Sequence, residues 1–113
     1  FYAQVWQDVP DTDNGLYQRG KYKMGVSYKN IETQLSPDSG FVYHWDSLAQ
    51  APFIYNPFQK IFATFDDKKS IELKTRYAID KNLNGIMFWQ LGDDKLSDGL
   101  LDEIYQVKKR DEK

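Results

Sequence analysis

The sequence of 113 residues contains no cysteine and only one histidine, His44. Without cysteine, the chain forms no disulfide bonds and carries out no thiolate chemistry. One histidine with no cysteine partner does not supply the ligand set of a zinc site. We therefore expect no metal and no cofactor.

Long apolar runs and an excess of positive charge are also missing. No run approaches the roughly 20 apolar residues that cross a bilayer, so we expect no membrane association. The 15 Lys and Arg residues are balanced by 17 Asp and Glu residues, for a net charge of -2. Because basic residues are interleaved with acidic ones and form no stripe, nucleic acid is not an expected partner.

Apolar and aromatic side chains, in contrast, make up 41% and 16% of the residues. This content and the length are sufficient for one modest globular domain. The chain begins with Phe1 and not with methionine, so we expect an excised or processed segment.

One part of the chain predicts a helix followed by a buried strand. Asp66 and Asp67 are suited to cap a helix N-terminus, and apolar residues then recur at helical spacing. The sequence NLNG at residues 82–85 ends this helix. The run GIMFWQL at residues 85–91 is typical of a parallel strand buried on both faces, with Trp89 near its end. This order predicts one helix-then-strand unit of a parallel sheet.

The two ends of the chain predict a second strand and a last helix. The first predicted strand is FYAQVW, residues 1–6. One of its faces carries Tyr2, Gln4 and Trp6, and the other carries Phe1, Ala3 and Val5, so both faces need to be covered. After the turn GDDKLSDG, an apolar stripe at helical spacing predicts a final helix that Ser97 or Asp98 caps.

The region between these parts is rich in turn residues and predicts a compact inserted module. A short helix is expected at residues 27–35, with Ser27 as its cap. The last two predicted strands form a hairpin through NPFQ. The predicted strands of the module are Phe41–Asp46, Pro52–Asn56 and Lys60–Phe65.

Two parallel strands and two helices cannot close a sheet, and they leave an unpaired edge and half-covered apolar faces. Two explanations remain open. Either the missing strands lie elsewhere in the parent polypeptide, or a second copy of the chain covers these surfaces.

Four segments carry a resemblance to a known family: FYAQVW, WDSLAQAPFIYN, FATFDDKKSI and NGIMFWQLGDD. In this order and spacing they resemble the C-terminal part of family-18 glycoside hydrolases, the bacterial chitinases. The resemblance implies an α/β fold: the last β/α units of an incomplete TIM barrel with a small α+β chitinase insertion domain. Residues 1–6 and 67–113 would belong to the barrel, and residues 7–66 would form the insertion domain.

The resemblance also implies substrate-binding residues. Trp89 matches the family tryptophan that forms the apolar floor under the N-acetylglucosamine unit beside the scissile bond. Tyr2 and Gln4 stand where the family usually has a tyrosine and an arginine that point into the cleft. Because glutamine lacks the fixed positive charge of arginine, any contact that needs a cation is in doubt at Gln4.

No catalytic residue is expected on this chain, because the Asp and Glu signature that supplies the family's general acid is absent. Turn and capping roles explain the acidic pairs at 66–67 and 93–94. A calcium loop at GDDKLSDG is disfavoured because Leu96 stands where an oxygen ligand is needed. The inserted module would form one wall of the cleft, and the choice of a contact among its aromatics Tyr43, Trp45 and Tyr55 stays open.

The sequence thus predicts the C-terminal part of a chitinase, which contributes to a cleft for β-1,4-linked N-acetylglucosamine polymers. The expected partners are chitin or N-acetylglucosamine oligosaccharides, together with the rest of the barrel or a second copy of the chain. Two alternatives remain: a chitin-binding protein without catalysis, and an interaction module that self-associates. Because chitin lies outside the cell, we expect a secreted, periplasmic or cell-surface protein.

Overall fold

Five strands form one antiparallel sheet in the computed structural model, which describes residues 1–111. The strands are β1 (Tyr2–Gln7), β2 (Lys21–Ser27), β3 (Val42–Asp46), β4 (Ala51–Asn56) and β5 (Ile61–Thr64), in the order β2-β1-β5-β4-β3. The helices are α1 (Ile31–Gln34), α2 (Lys68–Asp80) and α3 (Leu100–Asp111). The predicted mixture of helices and strands is confirmed, but every strand pair is antiparallel.

The predicted strand at the start of the chain is confirmed as β1, and its two faces differ. Ala3 and Val5 are fully buried, whereas Tyr2 is exposed and Gln4 and Trp6 are half-buried. The expectation that both faces are covered is therefore met on one face only. The buried face belongs to a core made of Ala3, Val5, Val26, Ile31, Leu35, Phe41, Ile54 and Ala63.

Helix α2 begins where the sequence predicts, because two side chains satisfy its first backbone amides. Asp67 accepts a hydrogen bond from the Ser70 backbone N–H at 2.9 Å, and the Ser70 hydroxyl accepts one from the Asp67 N–H at 2.9 Å. This reciprocal pair is a capping box. Asp66 accepts a hydrogen bond from the Ser70 hydroxyl at 2.8 Å. The helix ends at Asp80, just before NLNG.

Helix α3 exists as predicted, but its predicted cap is wrong. Neither Ser97 nor Asp98 caps it. Asp94, which is 5% exposed, accepts the backbone N–H groups of Leu100 and Leu101, each at 2.9 Å. Asp98 is exposed and pairs with a lysine of α2. The turn after Asp94 folds its carboxylate back over the start of α3. Asp94 therefore reaches the free backbone amides of the helix, although Ser97 and Asp98 are closer in sequence.

The predicted buried strand at residues 85–91 is also wrong. Residues 85–90 form no strand, and residues 81–92 are exposed. A parallel strand needs partners on both edges, and no strand in the described part of the chain pairs with this segment. One side of the segment still packs, since Phe88 stacks on Phe1 with ring centroids 4.6 Å apart.

Within the predicted inserted module, three strands and one hairpin are confirmed. Strands β4 and β5 form the hairpin, and the Lys60 N–H donates to the Asn56 carbonyl at 2.7 Å across its turn. The helix expected at residues 27–35 is largely confirmed, because a 3₁₀ turn at Tyr28–Asn30 runs directly into α1. Ser27 stands at its N-cap position as predicted, but the Ser27 side chain forms no capping hydrogen bond. Strand β2 was not predicted, although larger apolar residues alternate with other residues along it. This local pattern is weak, and the strand forms because it pairs with β1.

Gly15, in the loop after β1, provides a test of how this loop packs against Tyr55 of β4. Its φ is +80°, and an added Cβ would lie 2.7 Å from the Tyr55 ring and 3.1 Å from Val9. Gly15→Ala should therefore lower the free energy of unfolding by about 2 kcal/mol, through backbone strain and overpacking. Urea unfolding of the full chain measures this change.

Gly85→Ala is the matched control, because nothing lies within 4 Å of the added carbon and φ there is not positive. This control should leave the unfolding midpoint unchanged. Equal midpoints for Gly15→Ala and the unmodified chain would contradict the packing of the loop onto Tyr55.

Candidate functional site

Trp89, Tyr2 and Gln4 lie together in the structure. All three line a cavity of about 340 Å³ between the start of β1, helix α2 and residues 86–89. The backbone also joins these parts, because the nitrogen of Phe1 donates to the carbonyl of Trp89. The fold therefore brings together the three residues that the sequence predicts as a site.

The Trp89 side chain is open to solvent, with 66% of its surface exposed. Met87, two residues earlier, is 92% exposed, while Ile86 and Phe88 line a neighbouring cavity with Ile104 of α3. Side chains in this extended segment thus alternate between an open side and a packed side. Sequence reasoning missed Met87, although the two-residue spacing from Trp89 was the available signal.

Tyr2 and Gln4 supply hydrogen-bonding groups beside this indole. The Gln4 side-chain nitrogen donates to the Tyr2 hydroxyl at 3.4 Å, so both groups project from the open face of β1. A charge pair lines the same cavity, with the Lys74 ammonium 2.8 Å from the Asp66 carboxylate. The cavity therefore combines a flat aromatic ring, a hydroxyl, an amide and one compensated ion pair.

The acidic residues near the site all have structural partners. Asp66, Asp67 and Asp94 serve the helix starts described above, and Asp93 accepts the Ser27 hydroxyl at 2.5 Å. Among residues 1–111, no three His, Cys, Asp or Glu side chains are grouped closely enough to hold a metal ion. Each of these carboxylates therefore has a role in holding the fold.

The three aromatics that the sequence left open are all held by the fold. Tyr55 is 2% exposed, and its hydroxyl donates to the Val9 carbonyl at 2.5 Å. Tyr43 donates to Asp67 at 2.7 Å, and burial together with this hydrogen bond raises the pKa of its phenol. The Lys69 ammonium lies 4.0 Å from the centre of the Trp45 ring. Each aromatic ring therefore has a structural partner.

A second, larger cavity of about 540 Å³ lies between the loop after β1 and the sheet face opposite the core. Its sheet side is formed by Trp6, Phe53 and Phe62. At its rim, the Tyr17 hydroxyl donates to Asp46 and thereby holds the pKa of that carboxyl below its usual range. Sequence reasoning missed this cavity, because the loop that covers it carries no periodic pattern.

No helix among residues 1–111 combines the length and apolar character that crossing a bilayer requires.

Comparison with known proteins identifies the family of this arrangement. The sequence profile of Glycosyl hydrolases family 18 matches residues 1–94. Chitinase A1 of Niallia circulans is 31% identical over 103 residues, which cover 84% of this chain. A family-18 N-acetylglucosaminidase from Paenibacillus barengoltzii superposes with a TM-score of 0.81 at 34% identity over 95% of the chain. Chitinase ChiA74 from Bacillus thuringiensis superposes with a TM-score of 0.87 at 25% identity over 95% of it.

These relatives are much longer than the chain. The match covers 15% of the Niallia chitinase, 31% of the Paenibacillus enzyme and 21% of the Bacillus enzyme. The chain therefore corresponds to a minor part of each.

Proposed function

Because this chain belongs to Glycosyl hydrolases family 18, we propose that it forms part of the saccharide cleft of a chitinase. Residues 1–6 and 67–113 then belong to the barrel part of that enzyme, and residues 7–66 form the insertion domain beside the cleft. The substrate class is the β-1,4-linked polymer of N-acetylglucosamine, so the enzyme works outside the cell, where this polymer lies.

The open indole of Trp89 beside Tyr2 and Gln4 carries this proposal. An aromatic ring offers a flat apolar surface to the C–H face of a sugar. The phenol and the amide together provide donors and acceptors for sugar hydroxyl and acetamido groups. Trp89 is two-thirds exposed and thus gains little from the core of the chain, which favours a contact with a ligand.

The chain supplies binding but not proton donation. Family-18 enzymes use the acetamido group of the substrate as the nucleophile, so one carboxylic acid is the essential protein group. The acidic residues around Trp89 are engaged in caps and ion pairs. We therefore assign the general acid to a part of the longer enzyme outside this chain.

The isolated chain should accordingly bind oligomers of N-acetylglucosamine without cleaving them, because positioning does not replace general-acid catalysis. Titration calorimetry with the tetramer measures binding, and release of reducing ends measures turnover. Glucose tetramers with the same β-1,4 linkage serve as the control ligand. Cleavage by pure chain would contradict the assignment of the acid, and absence of any binding would contradict the proposed cleft.

In the longer enzyme, the rest of the barrel covers the exposed apolar side chains of this chain. Met87, Leu91 and Leu96 are 92%, 62% and 107% exposed, and the chain spans only 15% of its chitinase relative. A second copy of the chain is the alternative partner. Analytical ultracentrifugation distinguishes them: a dimer that persists at low micromolar concentration would favour the second copy.

A further inference from the structure

The turn after the Trp89 segment is tied to the end of strand β2. The Ser27 hydroxyl donates to the Asp93 carboxylate at 2.5 Å, although the two residues are 66 positions apart in the sequence. Both side chains are half-buried. Ser27 stands at the N-cap position of the turn Tyr28–Asn30 but forms no capping hydrogen bond there. Its hydroxyl therefore binds the Asp93 carboxylate and not the backbone of the turn that it precedes.

Both ends of this hydrogen bond lie next to residues of the candidate site. In the pairing of β1 with β2, Ser27 stands opposite Tyr2. Asp93 ends a short 3₁₀ turn, and its backbone N–H donates to the Gln90 carbonyl at 3.0 Å. Gln90 directly follows Trp89 in the sequence. The bond from Ser27 to Asp93 therefore connects the strand partner of Tyr2 with the turn that follows Trp89.

The other contact between this turn and the inserted module is weaker. The Lys95 ammonium lies 3.2 Å from the carboxylate of Glu32, whose side chain is 81% exposed. Exposed ion pairs of this kind contribute little to stability. The bond from Ser27 to Asp93 is charge-assisted, and its length of 2.5 Å is typical of strong hydroxyl–carboxylate bonds. Partial burial strengthens it further, so we assign the fixing of the turn mainly to Ser27 and Asp93.

We propose that Ser27 and Asp93 are positioning residues, which hold the Trp89 indole beside the β1 residues of the site. The stacking of Phe88 on Phe1 already holds the chain before Trp89, and the hydrogen bond holds the chain after it. This inference rests on the proposed function and gives the inserted module, which supplies Ser27, a second task. A fixed indole binds a saccharide more tightly than a mobile one, because less conformational entropy is lost on binding.

The test compares variants of the full chain. Ser27→Ala should weaken binding of the N-acetylglucosamine tetramer about fivefold, within the usual range of indirect couplings. In the ligand-free variant, the indole N–H signal of Trp89 should also shift. Ser27→Thr keeps the hydroxyl and should retain both the affinity and the signal. Ser47→Ala, at an exposed serine in the turn after β3, is the matched control and should change neither. Either quantity unchanged in folded Ser27→Ala would overturn the inference.

A double-mutant cycle separates positioning from two independent losses. Asp93→Ala should weaken tetramer binding by the same factor as Ser27→Ala. The double variant should bind no more weakly than either single variant, because the two side chains act as one unit. Losses that add in the double variant would overturn the inference.

A measurement without substitution keeps the test decisive if these variants do not fold. In the unmodified chain, the backbone N–H order parameters of Gln90 and Asp93 should match that of Val26 in β2, at about 0.85 for a rigid backbone. Values below about 0.6, typical of a flexible backbone, would overturn the inference. If the unmodified chain binds no tetramer, the proposed function is wrong. If it binds the tetramer and Ser27→Ala binds equally well, the positioning alone is wrong.

Discussion

Trp89→Ala should weaken the binding of N-acetylglucosamine oligomers by about 1 to 3 kcal/mol, by analogy with aromatic rings that stack on bases. The indole is 66% exposed, so its removal takes away a ligand surface and few internal contacts. The free energy of unfolding should therefore change much less than the binding free energy. Titration calorimetry and urea unfolding of the same variant measure the two quantities.

Phe58→Ala is the matched control for this variant. Phe58 is 87% exposed in the turn between β4 and β5 and lines neither cavity, so its loss should leave oligomer affinity unchanged. If Trp89→Ala binds as well as the unmodified chain, or loses stability and affinity together, Trp89 is a packing residue and not a sugar platform.

Asp94→Ala should lower the free energy of unfolding by about 3 kcal/mol. The carboxylate is 5% exposed and accepts backbone N–H groups of Lys95, Leu100 and Leu101 at 2.8, 2.9 and 2.9 Å. Hydrogen bonds to a charged group contribute about 1.5 to 3 kcal/mol each, and buried amides left without partners add a penalty. Urea unfolding followed by circular dichroism measures the loss.

Two further variants make this result specific. Asp94→Asn keeps one acceptor oxygen and should recover about half of the loss. Asp98→Asn, at the position that the sequence favours as a cap, should leave stability nearly unchanged, because Asp98 forms only an exposed ion pair. A larger effect at Asp98 than at Asp94 would contradict the capping of α3 described above.

Local chemistry was sufficient to predict the parts of the fold that depend on neighbours in sequence. The capping box of Asp67 and Ser70 needs only four consecutive residues, and α2 begins there. The turn between β4 and β5 is closed by the Asn56 side chain, which accepts the N–H groups of Phe58 and Gln59 at 3.0 and 3.1 Å. These hydrogen bonds join residues that are close in sequence, so they do not depend on a particular tertiary neighbour.

Elements that depend on distant partners were predicted less well. The run at residues 85–91 has the composition of a buried strand, but a strand requires hydrogen-bonding neighbours and the described chain offers none on its open side. Strand β2 is the converse case: Tyr22, Met24 and Val26 alternate weakly, and β1 supplies the pairing. Asp94 reaches the start of α3 only because the turn brings it back, which spacing alone does not reveal.

The candidate site follows the same division. Tyr2, Gln4 and Trp89 were predicted from the family resemblance of their segments, and the fold places them around one cavity. Trp6, Phe53 and Phe62 come from three strands that are adjacent only in the folded sheet. Their joint cavity could not be predicted without the register of β1, β4 and β5.

Trp89, with Trp45 as an internal control, provides the most direct test that this chain presents an indole to a saccharide. In a titration with the N-acetylglucosamine hexamer, the indole N–H signal of Trp89 should shift. The signal of Trp45 should stay still, because this ring lies on the opposite sheet face under Lys69. A Trp89 signal that does not move at saturating hexamer, or a shift confined to Trp45, would contradict a cleft built on Trp89.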